Sequence, residues 1–218
     1  MKSFLRNNGL TIVLILLFLV TFAGQAWAGM AEFNEEQREH GLVPVGLASY
    51  LATGHFWGAV AENWESEFLQ MAMFVLLTAF LFQKGSPESN DPDEAEDREE
   101  QAKREYGPRA PWPARQGGAI RWLYAHSLSL AFGLIFFLSI ALHALAGARA
   151  DAREHRLQGL PPPTLGEYVT GGKFWFESMQ NWQSEFLSLA AMVWCSVYLR
   201  ERNSAESKAV ASPHDAHE

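Results

Sequence analysis

The stretch Asn63-Trp64-Glu65-Ser66-Glu67-Phe68-Leu69 returns 118 residues later as Asn181-Trp182-Gln183-Ser184-Glu185-Phe186-Leu187. Each copy opens an apolar run long enough to enter a membrane, so the chain reads as two related units. Residues 3–90 align without a gap on 121–208, with about a third of positions identical, the signature of a duplication. The matches include Glu36/Glu154, Arg38/Arg156, Gly41/Gly159, Tyr50/Tyr168, Gly54/Gly172, Phe56/Phe174, Trp57/Trp175 and Ser86/Ser204.

Average composition hides this organisation. The 218 residues are 48% hydrophobic and the mean hydropathy is only -0.09, yet the apolar residues fall in a few blocks separated by very polar segments. The blocks carry the information. A net charge of -8 argues against a nucleic-acid partner, which needs a basic face to neutralise phosphates. The single cysteine, Cys195, excludes an intrachain disulfide and a cysteine-based metal site, and its apolar surroundings suit a small buried residue.

The first apolar block, 10–28, follows Lys2 and Arg6 and ends Ala26-Trp27-Ala28-Gly29. It satisfies a secretory signal peptide with a small-residue cleavage site, or a retained transmembrane helix. The repeat favours retention: the matching block ends Ala144-Leu145-Ala146-Gly147 in mid-chain, where no peptidase signal is expected, so this ending belongs to the repeat unit. The other expected spans are 64–82, 124–146 and 181–199. Before the second and fourth spans lie short segments around Pro44–Leu51 and Pro163–Tyr168. In the latter, Thr164 and Glu167 have capping-box spacing. Brief interfacial helices are expected there, stopped by Gly54 and by Gly171-Gly172, with Phe56-Trp57 and Phe174-Trp175 at headgroup depth.

Four domains of the sequence follow: a first repeat over 1–90, an acidic, proline-containing linker over 91–118, a second repeat over 119–208, and a disordered tail over 209–218. The fold class expected is all-α, an integral membrane four-helix bundle built from two tandem parallel helical hairpins. If the N-terminus, linker and tail share the cytoplasmic side, that side holds twelve of the seventeen Lys and Arg residues. The positive-inside rule then puts both termini in the cytoplasm.

On a helix, Asn63, Glu67 and Gln70 share one stripe and Ser66 borders it; the second copy offers Asn181, Glu185, Ser184 and Ser188. Gln25 and His143 stand about a turn before the outer ends of the first and third spans. Glu67, Glu185, His143, Gln25, Asn63, Asn181, Ser66 and Ser184 are therefore candidates for one polar layer. Two carboxylates near a pseudo-twofold axis resist joint ionisation, so such a layer could share a proton or hold a cation. The structural alternative is that Asn and Glu cap a helix start and hydrogen-bond across helices without further purpose. No catalytic or metal-ligating residue is assigned and no cofactor is expected. The chain has no Glu-x-x-His pair in the spans, no phosphate-binding glycine loop, no Cys-x-x-Cys and no HExxH pattern.

Phe4-Leu5-Arg6-Asn7-Asn8-Gly9-Leu10-Thr11, Tyr50-Leu51 with Gly54-His55-Phe56, the run from Glu62 to Met71, and Gln83-Lys84-Gly85-Ser86 resemble an uncharacterised bacterial membrane-protein family, domain of unknown function 6766. The resemblance covers nearly the whole chain. It implies a bacterial integral membrane protein and supplies no activity; the expected location is the cytoplasmic membrane. Three functions stay open: handling of protons or small cations by the paired carboxylates, a structural or partner-binding role in which the polar stripe only locks helix packing, and, as the weakest of the three, a membrane enzyme. The lipid bilayer is the expected surrounding, with another membrane protein or a second copy as the partner to be sought.

Overall fold

The computed structural model describes residues 2–216, without the side chains of 2, 3 and 92–97. Among the described residues every regular element is helical: α1 (Lys2–Glu39), α2 (Leu47–Tyr50), α3 (Gly54–Thr78), α4 (Pro92–Tyr106), two 3-10 turns (Gly107–Arg109 and Trp112–Arg115), α5 (Gly118–Ala125), α6 (Ser127–Leu157), α7 (Leu165–Thr170) and α8 (Gly172–Tyr198).

Two helices, Phe4–Glu39 and Ser127–Leu157, are long and apolar enough to cross a membrane. Their apolar windows are only 6% and 11% buried. Leu10 is 76% exposed and Val20 69%. A core helix in a water-soluble protein would bury that surface, gaining roughly 25 cal/mol per Å². The expected spans 64–82 and 181–199 fall in α3 and α8, which carry the duplicated polar stretch and are not among those two. α3 ends at Thr78, where the hydroxyl turns back onto the Phe74 and Val75 carbonyls and the chain tightens into turns at Ala79 and Phe80.

α1 and α6 each outrun the expected apolar block and stop in the same way. Gly41 (φ 70°) and Gly159 (φ 71°) take the left-handed conformation that glycine accepts without penalty. Leu42 N–H then reaches the Gln37 carbonyl at 2.7 Å, and Leu160 N–H the His155 carbonyl at 2.8 Å, the six-to-one bond of a Schellman ending.

The chain divides into two compact units. The first comprises Met1–Ala61 and Leu142–Phe174. Its core is aromatic and doubled: Tyr50 packs edge-on against Phe56 with ring centres 5.6 Å apart, and Tyr168 packs the same way against Phe174, also at 5.6 Å. All four rings are buried, each worth about 2 kcal/mol of transfer free energy. Both tyrosine hydroxyls press on a glycine, since a Cβ on Gly29 would lie 2.2 Å from the Tyr50 hydroxyl and one on Gly147 would lie 2.2 Å from that of Tyr168. Burial first, and then the Glu32 carboxylate, push the Tyr50 hydroxyl above its usual pKa. Tyr50 also meets His55 Nδ1 at 3.2 Å.

Polar ties complete this unit. Arg153 donates to both Glu36 oxygens (3.1 and 2.9 Å) and to Gln37 (2.6 Å), with its guanidinium 4.2 Å from the Phe33 ring centre. Lys173 holds Asp151 at 2.9 Å and Glu154 at 2.8 Å. Burial works against its charge, but these carboxylates outweigh it and raise its pKa. The capping box at α7 forms as its spacing predicts: Glu167 N–H donates to the Thr164 hydroxyl and Thr164 N–H to the Glu167 carboxylate. The Thr164 backbone N–H, and after it the Thr164 hydroxyl at 2.9 Å, donate to the Glu167 carboxyl and hold it below its usual range. Gly171 caps α7, whereas Gly54 opens α3 instead of stopping α2. Its role is close approach, because a Cβ there would stand 2.6 Å from the Ala146 carbonyl.

The second unit comprises Glu62–Ala141 and Trp175–Glu218. Its linker has a helix, α4, although the composition offers little apolar surface to bury. The i,i+4 pairs Glu100–Arg104 (3.1 Å) and Glu99–Lys103 (3.6 Å) supply local support of the kind an isolated helix uses. The segment after α8 wraps around Lys208, which is 2% exposed and donates to the carbonyls of Pro213, His214 and Ala216. Residues 209–216, where a disordered tail is expected, thus carry hydrogen bonds, and 217–218 lie outside the described residues.

Candidate functional site

The duplicated stretch occupies the middle of α3 and α8, inside the second unit. An α-helix advances 100° per residue, so only part of each polar run can face the neighbour. The side chains that do so are Glu62, Glu65 and Gln70 from α3, met by Asn181, Trp182 and Ser188 from α8. Asn181 Nδ2 donates to Glu62 Oε1 at 2.6 Å, and Trp182 Nε1 to Glu65 Oε1 at 3.2 Å. Gln70 Nε2 donates both to the Glu185 carbonyl (2.9 Å) and to Ser188 Oγ (2.8 Å). Aromatic rings flank the junction: Phe68 stacks near Phe132 on α6, and Trp182 stands edge-on to Phe136.

Glu65 is fully buried, at 0% exposure. A carboxylate so placed needs donors, and the Trp182 indole is one of them. Position 183, its counterpart in the second copy, is an exposed glutamine. The two copies therefore differ where burial is deepest.

Of the expected polar layer, Glu67 and Glu185 come within electrostatic range of each other. Glu67 is exposed and Glu185 half-buried. Ser66 and Ser184 do not point across: each hydroxyl donates at 2.8 Å to a carbonyl of its own helix, Asn63 and Asn181 respectively. Ser66 is buried, while Asn63 and Ser184 are exposed. Gln25 and His143 belong to the first unit. There His143 is 1% exposed, with its ring 4.9 Å from Phe174, and Gln25 is half-buried. Among the described residues no group of three or more His, Cys, Asp or Glu side chains is placed to hold a metal ion.

Sequence reasoning passed over Glu62, Glu65 and Trp182 as site residues. The available signal was the break in the repeat, Glu65 against Gln183 and Glu62 against Gln180.

A second carboxylate pair follows α3 and α8. Gly85 (φ 83°) and Asn203 (φ 67°) make matching left-handed turns. The Ser86 and Ser204 hydroxyls then accept from the Glu88 and Glu206 backbone N–H groups, each at 3.2 Å. Ser86 also bonds Ser196 at 2.9 Å in a buried contact. Burial, followed by a hydrogen bond that the protonated Glu88 gives to Glu206 and by the Glu206 charge, pushes the Glu88 carboxyl up to about 7. One Glu88 oxygen, Oε1, is buried without a hydrogen-bond partner among the described residues. Two carboxyls that share a proton give this arrangement a natural dependence on pH.

The model of a family described as Domain of unknown function (DUF6766) matches residues 1–218. No curated protein matches the chain, and no solved structure matches it.

Proposed function

Since the chain belongs to this family of unknown function, its role has to come from its own geometry, and we propose that it is a non-enzymatic multi-pass protein of the bacterial cytoplasmic membrane. In this reading α1, α3, α6 and α8 form a four-helix bundle of two tandem hairpin repeats, with α2 and α7 at the interface. The observation that carries it is the bare apolar surface of α1 and α6, with 6% and 11% of their apolar windows buried. Only a hydrocarbon surrounding makes such a surface inexpensive.

Three pairs support the twofold relation between the repeats. Gln70 bonds Ser188 across a separation of 118 residues, and Glu67 with Glu185 and Glu88 with Glu206 are neighbours at the same spacing. A residue meets its own counterpart only near a twofold axis. The fit of Gly29 under Tyr50, repeated at Gly147 under Tyr168, supports retention of the first helix, because a structural contact accounts for its small-residue ending.

Within the bundle, the Asn-Trp-x-Ser-Glu stretch locks α3 to α8. Asn181–Glu62, Trp182–Glu65 and Gln70–Ser188 are hydrogen bonds of the kind that hold membrane helices together. The protein then acts as a membrane scaffold, alone, as a second-copy assembly or with another membrane protein. Substituting Gln70→Ala with Asn181→Ala should lower the melting temperature of the purified chain and leave membrane insertion intact. Full insertion with unchanged melting removes the locking role. The nearness of Glu67 and Glu185 favours a second reading, conduction or exchange of protons or small cations. Flux in proteoliposomes decides it: Glu67→Gln with Glu185→Gln must reduce flux, and equal flux in both forms ends that reading.

A further inference from the structure

Where the linker meets α5, the second unit holds an open pocket of about 620 Å³. Lys103, Arg109, Arg115 and Arg121 bring four cations to its wall against one carboxylate, Glu99. That carboxylate is already taken by Arg121 at 3.3 Å and Lys103 at 3.6 Å. No acidic side chain among the described residues pairs with Arg109 or Arg115. The rest of the lining is apolar or aromatic, with Tyr106 and Tyr124 the largest members.

The location selects the ligand. α5 ends at Ala125 and the apolar α6 begins at Ser127, so the pocket opens beside the entry of a helix able to cross a membrane. Trp112 and Trp122, both exposed, stand in the same segment, where amphipathic rings mark headgroup depth. Two guanidinium forks without acidic partners among the described residues suit phosphate oxygens, which they can bind in pairs.

We propose that this pocket binds the phosphate headgroup of an anionic phospholipid, with Arg109 and Arg115 as the phosphate-holding residues and Tyr106 and Tyr124 against the glycerol. The assignment rests on the membrane reading given above and extends it to a lipid class. It assigns the linker a role beyond that of a tether: a bound lipid fixes α4 and α5 at the membrane surface. The positive charge that orients the chain then also selects its lipid.

The test uses the full chain, purified in mild detergent, with phosphatidylglycerol or phosphatidylcholine added at equal concentration and bound lipid counted by native mass spectrometry. Phosphatidylglycerol should be retained preferentially. Arg109→Gln with Arg115→Gln should weaken that binding roughly thirtyfold, about fivefold for each cation removed near the surface. Arg6→Gln, on α1, should leave it unchanged. The native preference should also fall between 50 and 500 mM salt as charges are screened, on the scale of ~10 Å at 0.1 M; this measurement stands even if the double variant folds poorly. Equal retention of the two lipids, or a preference indifferent to both salt and the substitutions, overturns the proposal. Glycerol phosphate tests the source of the phosphate: no competition at millimolar concentration supports a lipid, and full displacement reassigns the pocket to soluble phosphate esters. Membrane insertion is scored separately by carbonate extraction. A chain that stays in the bilayer but ignores phosphatidylglycerol defeats only this inference, whereas release by carbonate defeats the membrane reading itself.

Discussion

Glu88 gives the account a pH dependence that can be worked out in advance. Its carboxyl is raised from the ordinary 4.5 to about 7, by burial first and then by Glu206. A carboxyl whose folded pKa lies above its unfolded value binds its proton more tightly when folded. The stability it contributes is fully present below about 4.5 and is lost as pH rises through about 7. A rise of about 2.5, at ~1.36 kcal/mol for each pKa step, sets a ceiling of about 3 kcal/mol. Glu88 is only half-buried and Glu206 is exposed, so solvent screening reduces this to roughly 1–2 kcal/mol. For a chain of this size that is a fall of about 2–8 °C in melting temperature between pH 5 and pH 8.

Thermal unfolding of the purified chain across that range is the assay, with Glu88→Gln as the comparison. Glutamine keeps the shape of the protonated acid and cannot ionise, so the variant should hold its low-pH stability at pH 8 and lose most of the slope. Other ionisable side chains of these turns, among them Lys84, Arg200, Glu206 and Lys208, remain in place in the variant. A native chain with no fall between pH 5 and pH 8, or a Glu88→Gln variant with the same slope as the native one, refutes the reasoning.

Gly29→Ala should cost about 1–3 kcal/mol through the clash of its Cβ with the Tyr50 hydroxyl, 2.2 Å away. Adding Tyr50→Phe should recover part of that loss in chemical denaturation, since it removes the clashing oxygen. Gly147→Ala should repeat the effect against Tyr168, where the same 2.2 Å contact occurs. Trp182→Phe takes one donor from buried Glu65 and should destabilise by about 1–3 kcal/mol. Glu65→Gln placed in that background should restore part of the loss, as a neutral amide is easier to bury than a carboxylate.

How far the sequence could be read depended on how local each interaction is. The Thr164/Glu167 capping box was legible because both partners lie within one turn and the bond needs nothing from elsewhere. The span-like character of α1 and α6 was legible because hydropathy accumulates over many residues. The buried member of Glu62, Glu65 and Glu67 was not legible, because three carboxylates within six positions cover most of a helix circumference and only the position of α8 selects Glu65. Gly54 looked like a helix stop and serves as a contact surface for α6, a distinction that needs the partner helix. The bonds of Lys208 were hidden for another reason: its partners are backbone carbonyls, which every sequence offers.

The most direct test of the account is the side of the membrane on which the linker lies. Single cysteines at Asn7, Val43, Gln101 and Gln158, in a chain carrying Cys195→Ala, can be labelled with a membrane-impermeant maleimide in intact cells and in inverted vesicles. Four spans place Asn7 and Gln101 on one side, and Val43 and Gln158 on the other. If α1 and α6 alone cross, Gln101 is labelled together with Val43, and the four-helix reading with its locked α3–α8 pair is contradicted.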